Sequence, residues 1–425
     1  MKRFTAFAFL MSPLLCLLNT SCLIYGQGSI HLEYRPRLIV KEVFAAGETD
    51  NPSHLAFITQ RSRAGLKWKK QKLEAVFTIQ DIRYWGGDNF YNDRGVYGNH
   101  QSLSLHNAHF SFNSGLHWQW RIGRQLMAFD DERLISLRNW NDYQVSYDAL
   151  RLSFRGSKIE TDLVLSYNSD NNKTAFYPAQ KYRTLNYLRV GSKHPPYFSY
   201  SLSTLLSGKM HSDTSTAMHY LQTWSGYVNF DRNQYYKLSL SAHYQHSPEK
   251  TETSHSAYCL SALFELRAGK DCRIKAGIDW ISGKESLSLE KTGRSFDLHY
   301  GKRHGFYGLM DFYNQPPEQG LIDVFAKYEH LFPSGQRLQV QVHSFQLEND
   351  YVMENEKNEG KNLGFELDLV GDFQINPYTT LQAGYGYYFD TSLSRLLKQA
   401  PPAGTAIPQF CYLMLQMKIP GIPLD

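Results

Sequence analysis

Phe57-Ile58-Thr59-Gln60-Arg61-Ser62-Arg63-Ala64-Gly65-Leu66-Lys67-Trp68 alternates two chemistries. Thr59, Arg61, Arg63 and Lys67 share one face of an extended chain, and Ile58, Ala64, Leu66 and Trp68 share the other. An arginine turned toward lipid near the bilayer middle costs about 2–4 kcal/mol. In a strand that crosses a membrane, the cationic face therefore points inward, to water.

The same period recurs along the chain. Tyr236, Leu238, Leu240, Ala242 and Tyr244 oppose Lys237, Ser239, Ser241, His243 and Gln245. Tyr258 to Leu266, Ile274 to Trp280 and Leu363 to Leu369 repeat the pattern. Connections alternate between short and long. Short turns fall at 69–71, 113–116, 156–157, 194–196, 231–234, 268–271, 333–335 and 376–377. Long polar stretches lie between them, among them 85–102, 129–144, 168–183, 284–319, 348–361 and 390–408. Bacterial outer-membrane barrels have this asymmetry and an even strand count. Reading 284–319 as one external loop, with Gly305–Tyr313 not counted as a strand, gives an even number. The expected fold is all-β: a transmembrane antiparallel up-and-down barrel of about 18 strands, with short periplasmic turns and long extracellular loops. Phe110, Phe112, Trp118, Trp120, Phe230, Tyr235 and Tyr236 flank short turns, while Tyr385, Tyr387, Tyr388 and Phe389 precede a long loop, as interfacial girdles do. A barrel this wide leaves an aqueous lumen.

Composition agrees. Of 425 residues, Lys and Arg number 45 and Asp and Glu 40, spread along the chain, which excludes a dedicated nucleic-acid binder with a basic stripe. Aromatics at 14% exclude disorder. After residue 24 no apolar run approaches the ~18 residues of a spanning helix. Lys2 and Arg3, then the apolar stretch Phe4 to Leu18 and a cleavage point near Gly26, form a secretory signal, against the alternatives of a buried helix or a lipoprotein site at Cys22. The chain thus divides into a signal peptide, 1–26, and a single barrel domain, 27–425. Cys259, Cys272 and Cys411 are too few and scattered for a disulfide framework or a metal site. On their hairpin, Cys259 is expected opposite Asp279 and Cys272 opposite Leu266, out of register to bond.

Arg151 and Arg189 sit on inward faces like Arg61 and Arg63. Arg83 and Arg124 lie where the alternation slips, as at bulges, and are assigned to the lumen with them. Asp81, Asp131, Asp148 and Asp323 are their acidic partners, alongside Asp130, Glu132, Asp279 and Asp368. Such a lumen either sets up a field admitting polar or anionic solutes, or uses Arg–Asp pairs only to hold the wall. Arg294, Lys302, Arg303 and His304 place cations on the longest loop, which is expected to fold inward and restrict the pore.

Several stretches resemble the alginate-export family of outer-membrane barrels: Ile58 to Leu66, Gln80-Asp81-Ile82-Arg83-Tyr84-Trp85-Gly86, Gly123-Arg124-Gln125, Asp130-Asp131-Glu132-Arg133-Leu134, Arg138-Asn139-Trp140-Asn141 and Tyr147 to Arg151. The resemblance continues through His304 to Gly308, Asp311, Gly320 to Asp323, and Phe410 to Leu415. It implies an 18-stranded barrel with a cationic lumen for anionic polyuronate, and it adds Arg133, Arg138 and His304 to the pathway residues. Two departures stand out. The short periplasmic turns leave no candidate for a periplasmic plug, and Pro420 to Asp425 extend past the last strand without a terminal aromatic.

No nucleophile elbow, phosphate-binding loop or His-Glu-x-x-His motif occurs. His106 and His109, three apart on a strand, are expected on opposite faces. Asn168, Asp170 and Asn172 alternate oxygen ligands, but no Glu completes a calcium loop. The expected function is that of an outer-membrane, porin-like channel with an Arg-rich lumen. It would passively pass alginate- or uronate-like oligo- or polysaccharide, or other small anions. It is not expected to be an enzyme, and no cofactor or metal is implied. The partners are outer-membrane lipid, the transported saccharide and periplasmic export or uptake proteins, with no nucleic acid. The alternatives are a surface receptor or structural barrel, and an outer-membrane lipid hydrolase using Ser241 and His243.

Overall fold

A computed structural model describes residues 26–43, 53–85, 103–169, 181–192, 197–232, 235–247, 256–285, 295–353, 355–400 and 408–424. The expected signal segment, apart from Gly26, lies outside them, as do Asp170, Asn172 and Arg294.

The alternating segments form strands β1 (Gln27–Val43), β2 (Ser53–Lys70), β3 (Leu73–Tyr84), β4 (Ser104–Ser114), β5 (Trp118–Gln125) and β6 (Tyr147–Arg155). They continue as β7 (Ile159–Tyr167), β8 (Tyr182–Ser192), β9 (Phe198–Met210), β10 (Met218–Asp231), β11 (Tyr236–His246) and β12 (Ser256–Ala268). The last six are β13 (Cys272–Ile281), β14 (Leu321–Leu331), β15 (Arg337–Val352), β16 (Asn358–Asn376), β17 (Thr379–Asp390) and β18 (Gln409–Leu424), with a short helix α1 (Ser392–Leu397) before β18. Each pairs antiparallel with its neighbours, and β1 pairs with both β2 and β18. The ring closes at 18 strands without a free edge, so every spanning backbone group has a partner away from water.

Burial is inverted relative to a soluble protein. Phe110 is 64% exposed, and Leu202, Trp224, Phe264 and Leu367 also face outward, whereas Arg61 is 0% exposed. Asp279, Asp323, His343, Glu366 and Asp368 are likewise buried inside. Apolar outside and polar inside is the signature of a barrel in lipid. The described short turns, the start of β1 at Gln27 and the end of β18 at Leu424 lie at the periplasmic end.

Several expected positions fall elsewhere. In β3, Thr78, Gln80 and Ile82 are the buried residues, so Asp81 and Arg83 face outward, hydrogen-bonded to each other at 2.7 Å. Gly123 has a φ of +117°, where a Cβ would run into the Ala108 carbonyl oxygen. Beyond it Arg124 pairs in register with Asp148, which alternates with inward Tyr147 and Ala149. The Arg124–Asp148 pair therefore also lies on the outward side and not in the lumen. A register shift opposite Thr78 and Ile79 gives β4 an extra residue, so His106 and His109 are both buried rather than on opposite faces. Tyr388 is buried inside, not in the girdle. Cys259 faces Ile281 and Cys272 faces Ala268, two residues along from expectation, and both are free thiols.

Two boundaries also move. The 348–361 loop shrinks because β15 runs to Val352 and β16 starts at Asn358, with register shifts between them. Pro420 to Leu424 belong to β18: Ile422 pairs with Ile30 and Ile419 with Leu32, so Pro420 and Gly421 form a bulge opposite His31. A bulge accommodates a proline that cannot donate to the ladder.

Gly364 has a φ of +115°, and a Cβ there would meet the Phe389 carbonyl oxygen. In detergent, unboiled protein is expected to migrate as a folded species distinct from the boiled one. Gly364→Ala is expected to lower the conversion temperature, reflecting a loss of roughly 1–3 kcal/mol. An unchanged conversion temperature would argue against this backbone constraint.

Candidate functional site

The lumen is partly filled, from the extracellular side. The β5–β6 connection and the described part of the β13–β14 connection fold inward, and a parallel bridge between Ile135 and Tyr300 joins them. Phe129, Leu134, Ile135, Phe296, Leu298, Tyr307 and Tyr313 lie in one buried cluster with wall residues such as Leu185, Leu205 and Phe345. The expected restriction by the longest loop is present, and it is shared with the β5–β6 segment.

Guanidiniums on β1 and β2 grip the β5–β6 segment. Arg35 donates to Asn139 O at 2.6 Å and Asp142 Oδ1 at 2.8 Å. Arg37 donates to Trp140 O at 2.9 Å and Asp142 Oδ2 at 2.8 Å. Arg61 bonds Glu33 at 3.0 Å and reaches Asn141 O at 3.3 Å, while Arg63 holds Gln80 and, at 2.7 Å, Gln144. Glu33, Arg35, Arg37 and Asp142 were not among the expected site residues. Leu32, Tyr34, Leu38 and Val40, all exposed, mark the outward face of β1 in the same two-residue period and would have revealed Arg35 and Arg37. Asp142 lies in a loop and carries no periodic signal.

β13 and β16 use the reverse chemistry. Asp368 accepts from Leu309 N at 3.2 Å and Glu366 from Met310 N at 2.8 Å. Arg133 on the β5–β6 segment reaches Asp279 at 2.5 Å, Asp131 at 3.1 Å and Ser261 at 2.8 Å, with the Phe306 ring 4.2 Å away. Arg138 donates to the carbonyls of His299 at 2.7 Å and Gly301 at 2.9 Å, tying the two segments together.

The other expected residues sit on the wall. Arg151 pairs with Asp162 at 2.8 Å, and Arg189 with Asp130 at 2.8 Å and Glu160 at 2.6 Å. Lys67 pairs with Glu74 at 3.0 Å near the periplasmic rim, and Asp323 lies 2.9 Å from His343. Ser241 donates to Asp131 and His243 contacts Ser225, both toward the lumen, so the two do not form a dyad at the lipid boundary. Among the described residues no His, Cys, Asp and Glu cluster is arranged to hold a metal.

What stays open runs along the β17–β18–β1 wall. A cavity of about 580 Å³ is lined by Arg35, Glu132, Arg138, Lys302, Arg303, His304, Asp311 and uncharged Gln382, Met414 and Gln416, among others. A second, of about 420 Å³, lies toward the extracellular end beside Ile39, Lys41, Phe57, Lys398 and Phe410. They share Trp140, Asp311 and Asn314. At that junction His304 stacks on Trp140 at 3.8 Å and lies 3.0 Å from Asp311, and Arg37 covers the indole at 4.3 Å.

Burial alone would raise the Asp142 carboxyl, but Arg37 and Arg35 outweigh it and hold it below the ordinary range. Burial would likewise lower Arg133, and Asp279 and its other anionic neighbours raise it well above the usual guanidinium value instead. A depressed carboxyl contributes docking energy that is fully present above the unfolded value of about 3.9 and lost as pH falls through the folded one. Release of the β5–β6 segment, followed by a spin label at Asn141→Cys, is therefore expected only below roughly pH 4, with the segment docked from about pH 7 to 5. Release near pH 6 would contradict the Asp142 clamp.

Residues 27–187 match the family model for alginate export. Among solved structures, OccAB4 of Acinetobacter baumannii aligns at a TM-score of 0.62 and 10% identity, covering 92% of this chain and 98% of that one. OpdL of Pseudomonas aeruginosa aligns at 0.62 and 11%, covering 94% and 99%. OpdK of Pseudomonas aeruginosa, solved with vanillate, aligns at 0.62 and 10%, covering 92% and 98%. Identities this low carry the fold alone. No protein of curated function matches the chain. The chain folds as a closed 18-stranded barrel of the outer-membrane type, and its residues 27–187 match the family model for alginate export.

Proposed function

We propose that the protein passively conducts anionic saccharide of uronate type, along the β17–β18–β1 wall. The observation that carries this reading is the charge of the larger cavity. Arg35, Arg138, Lys302 and Arg303 face it against two carboxylates, Glu132 and Asp311, with His304 at its junction. A guanidinium forks onto a carboxylate at any physiological pH, and an ammonium adds charge without fixed geometry. Binding at each step is weak, as conduction requires release.

The expected pathway residues then divide by role. Arg138 and His304 meet the solute. Arg61, Arg63, Arg133, Arg151 and Arg189 act through the field and through the segments they hold, and Lys67 stands at the periplasmic mouth. The match over residues 27–187 supports a uronate as the solute. The filled lumen is the one observation that favours the surface-receptor reading, and conductance separates the two.

In planar bilayers the protein is expected to be anion-selective. Oligouronate should interrupt its current, and neutral oligosaccharide of equal length should not. Lys302→Glu combined with Arg303→Glu should move the reversal potential toward cations and raise the half-blocking oligouronate concentration about tenfold. A folded barrel that carries no current supports the receptor, and a cation-selective wild type sinks the proposal.

A further inference from the structure

The periplasmic rim carries more cations than it can neutralise. Its carboxylates are already engaged: Glu74 with Lys67, Asp231 and Glu265 with Arg267, Glu329 with Arg273 and Arg337, and Asp372 with Arg337. Lys69, Lys70, Lys72, Lys158, Lys270 and Lys418 are all exposed at this end. None has an ion pair among the described residues, and Asp271 is the one nearby carboxylate also left without one. Three of these lysines crowd the single β2–β3 turn, within one Debye length, about 8 Å at physiological salt, so their fields add.

The rim also leads into the open path. On the inward face of β18, Lys418 precedes Gln416 and Met414, both of which line the larger cavity. A polyanion held at the collar would have its leading end at the entrance of that cavity.

We infer that this lysine collar is a capture site for polycarboxylate chains arriving from the periplasm, and that it loads them into the cavity along β18. The inference rests on the proposed uronate conduction and adds a side to it. A passive channel takes its net direction from the gradient. A charged collar at one mouth raises the association rate from that side only, by electrostatic steering. An acidic periplasmic protein would also suit such a surface, but the continuity from Lys418 to the cavity favours the solute.

The test is one-sided block in bilayers of known insertion orientation, using an oligouronate probe. Wild type is expected to be blocked faster from the periplasmic side, with an on-rate that falls steeply as salt rises. Replacing Lys69→Gln, Lys70→Gln and Lys72→Gln together should cut the periplasmic on-rate roughly three- to tenfold at about 0.1 M salt and leave the extracellular one unchanged. These residues are exposed at a turn, and heat-dependent gel mobility confirms folding. Should the triple variant nonetheless misfold, Lys158→Gln with Lys270→Gln provides the same comparison. Equal on-rates from both sides of a wild type that is blocked, or an unchanged periplasmic rate in the folded variant, would overturn the collar. The second result would leave the lysines to a protein partner. Absence of block from either side would instead remove the conduction reading beneath it.

Discussion

Arg35 and Arg37 share the carboxylate of Asp142, one guanidinium to each oxygen, and the rest of the interior is arranged around that contact. A buried charge is tolerable only when paired and hydrogen-bonded. Four guanidiniums on β1 and β2 face a lumen whose own wall offers them Glu33. The β5–β6 segment supplies what is missing: one carboxylate, and the carbonyls of Asn139, Trp140 and Asn141. Elsewhere on the wall, carboxylates of β13 and β16 take the opposite partners, Arg133 and the backbone N–H groups of Leu309 and Met310. The two segments are thus suspended between a donor wall and an acceptor wall.

This arrangement explains where the open space lies. β17 and β18 present Gln382, Met414 and Gln416 to the lumen, which offer no charge to draw a segment onto the wall. Space remains there, and the cations of the inward segments themselves, Arg138, Lys302 and Arg303, become its lining. In this account the same segments that narrow the pore provide its chemistry.

Much of the fold was legible in the sequence because a strand in lipid must separate its faces at every second residue. Thr59 to Trp68 showed this, and the alternation of short and long connections set the orientation and the strand number. The errors have two causes. A single bulge inverts the parity of all that follows it: one sits at His106, and another let Pro420 to Leu424 continue a strand that the prolines had argued against. Asp81, Arg83, Arg124 and Asp148 lie in unbroken register and fall on the outward parity, so there the expected bulges are absent. The site was less legible. The Arg35–Asp142 pair spans more than a hundred residues, and Asp142 is in a loop without period, so only three-dimensional proximity identifies it. The faces of Arg61, Arg63, Arg151 and Arg189 were readable, but not the partners that bind them.

The central claim is that charge holds the β5–β6 segment at one place in the lumen. Electron–electron spin resonance distances test it most directly. Nitroxides would be placed at Asn141→Cys on the segment and Ser334→Cys on a periplasmic turn, with Cys259, Cys272 and Cys411 replaced. A single narrow distance distribution at neutral pH is predicted, broadening when Arg35→Gln and Arg37→Gln are combined. A broad distribution in the protein with its arginines intact, or a narrow one that survives their loss, would contradict the account.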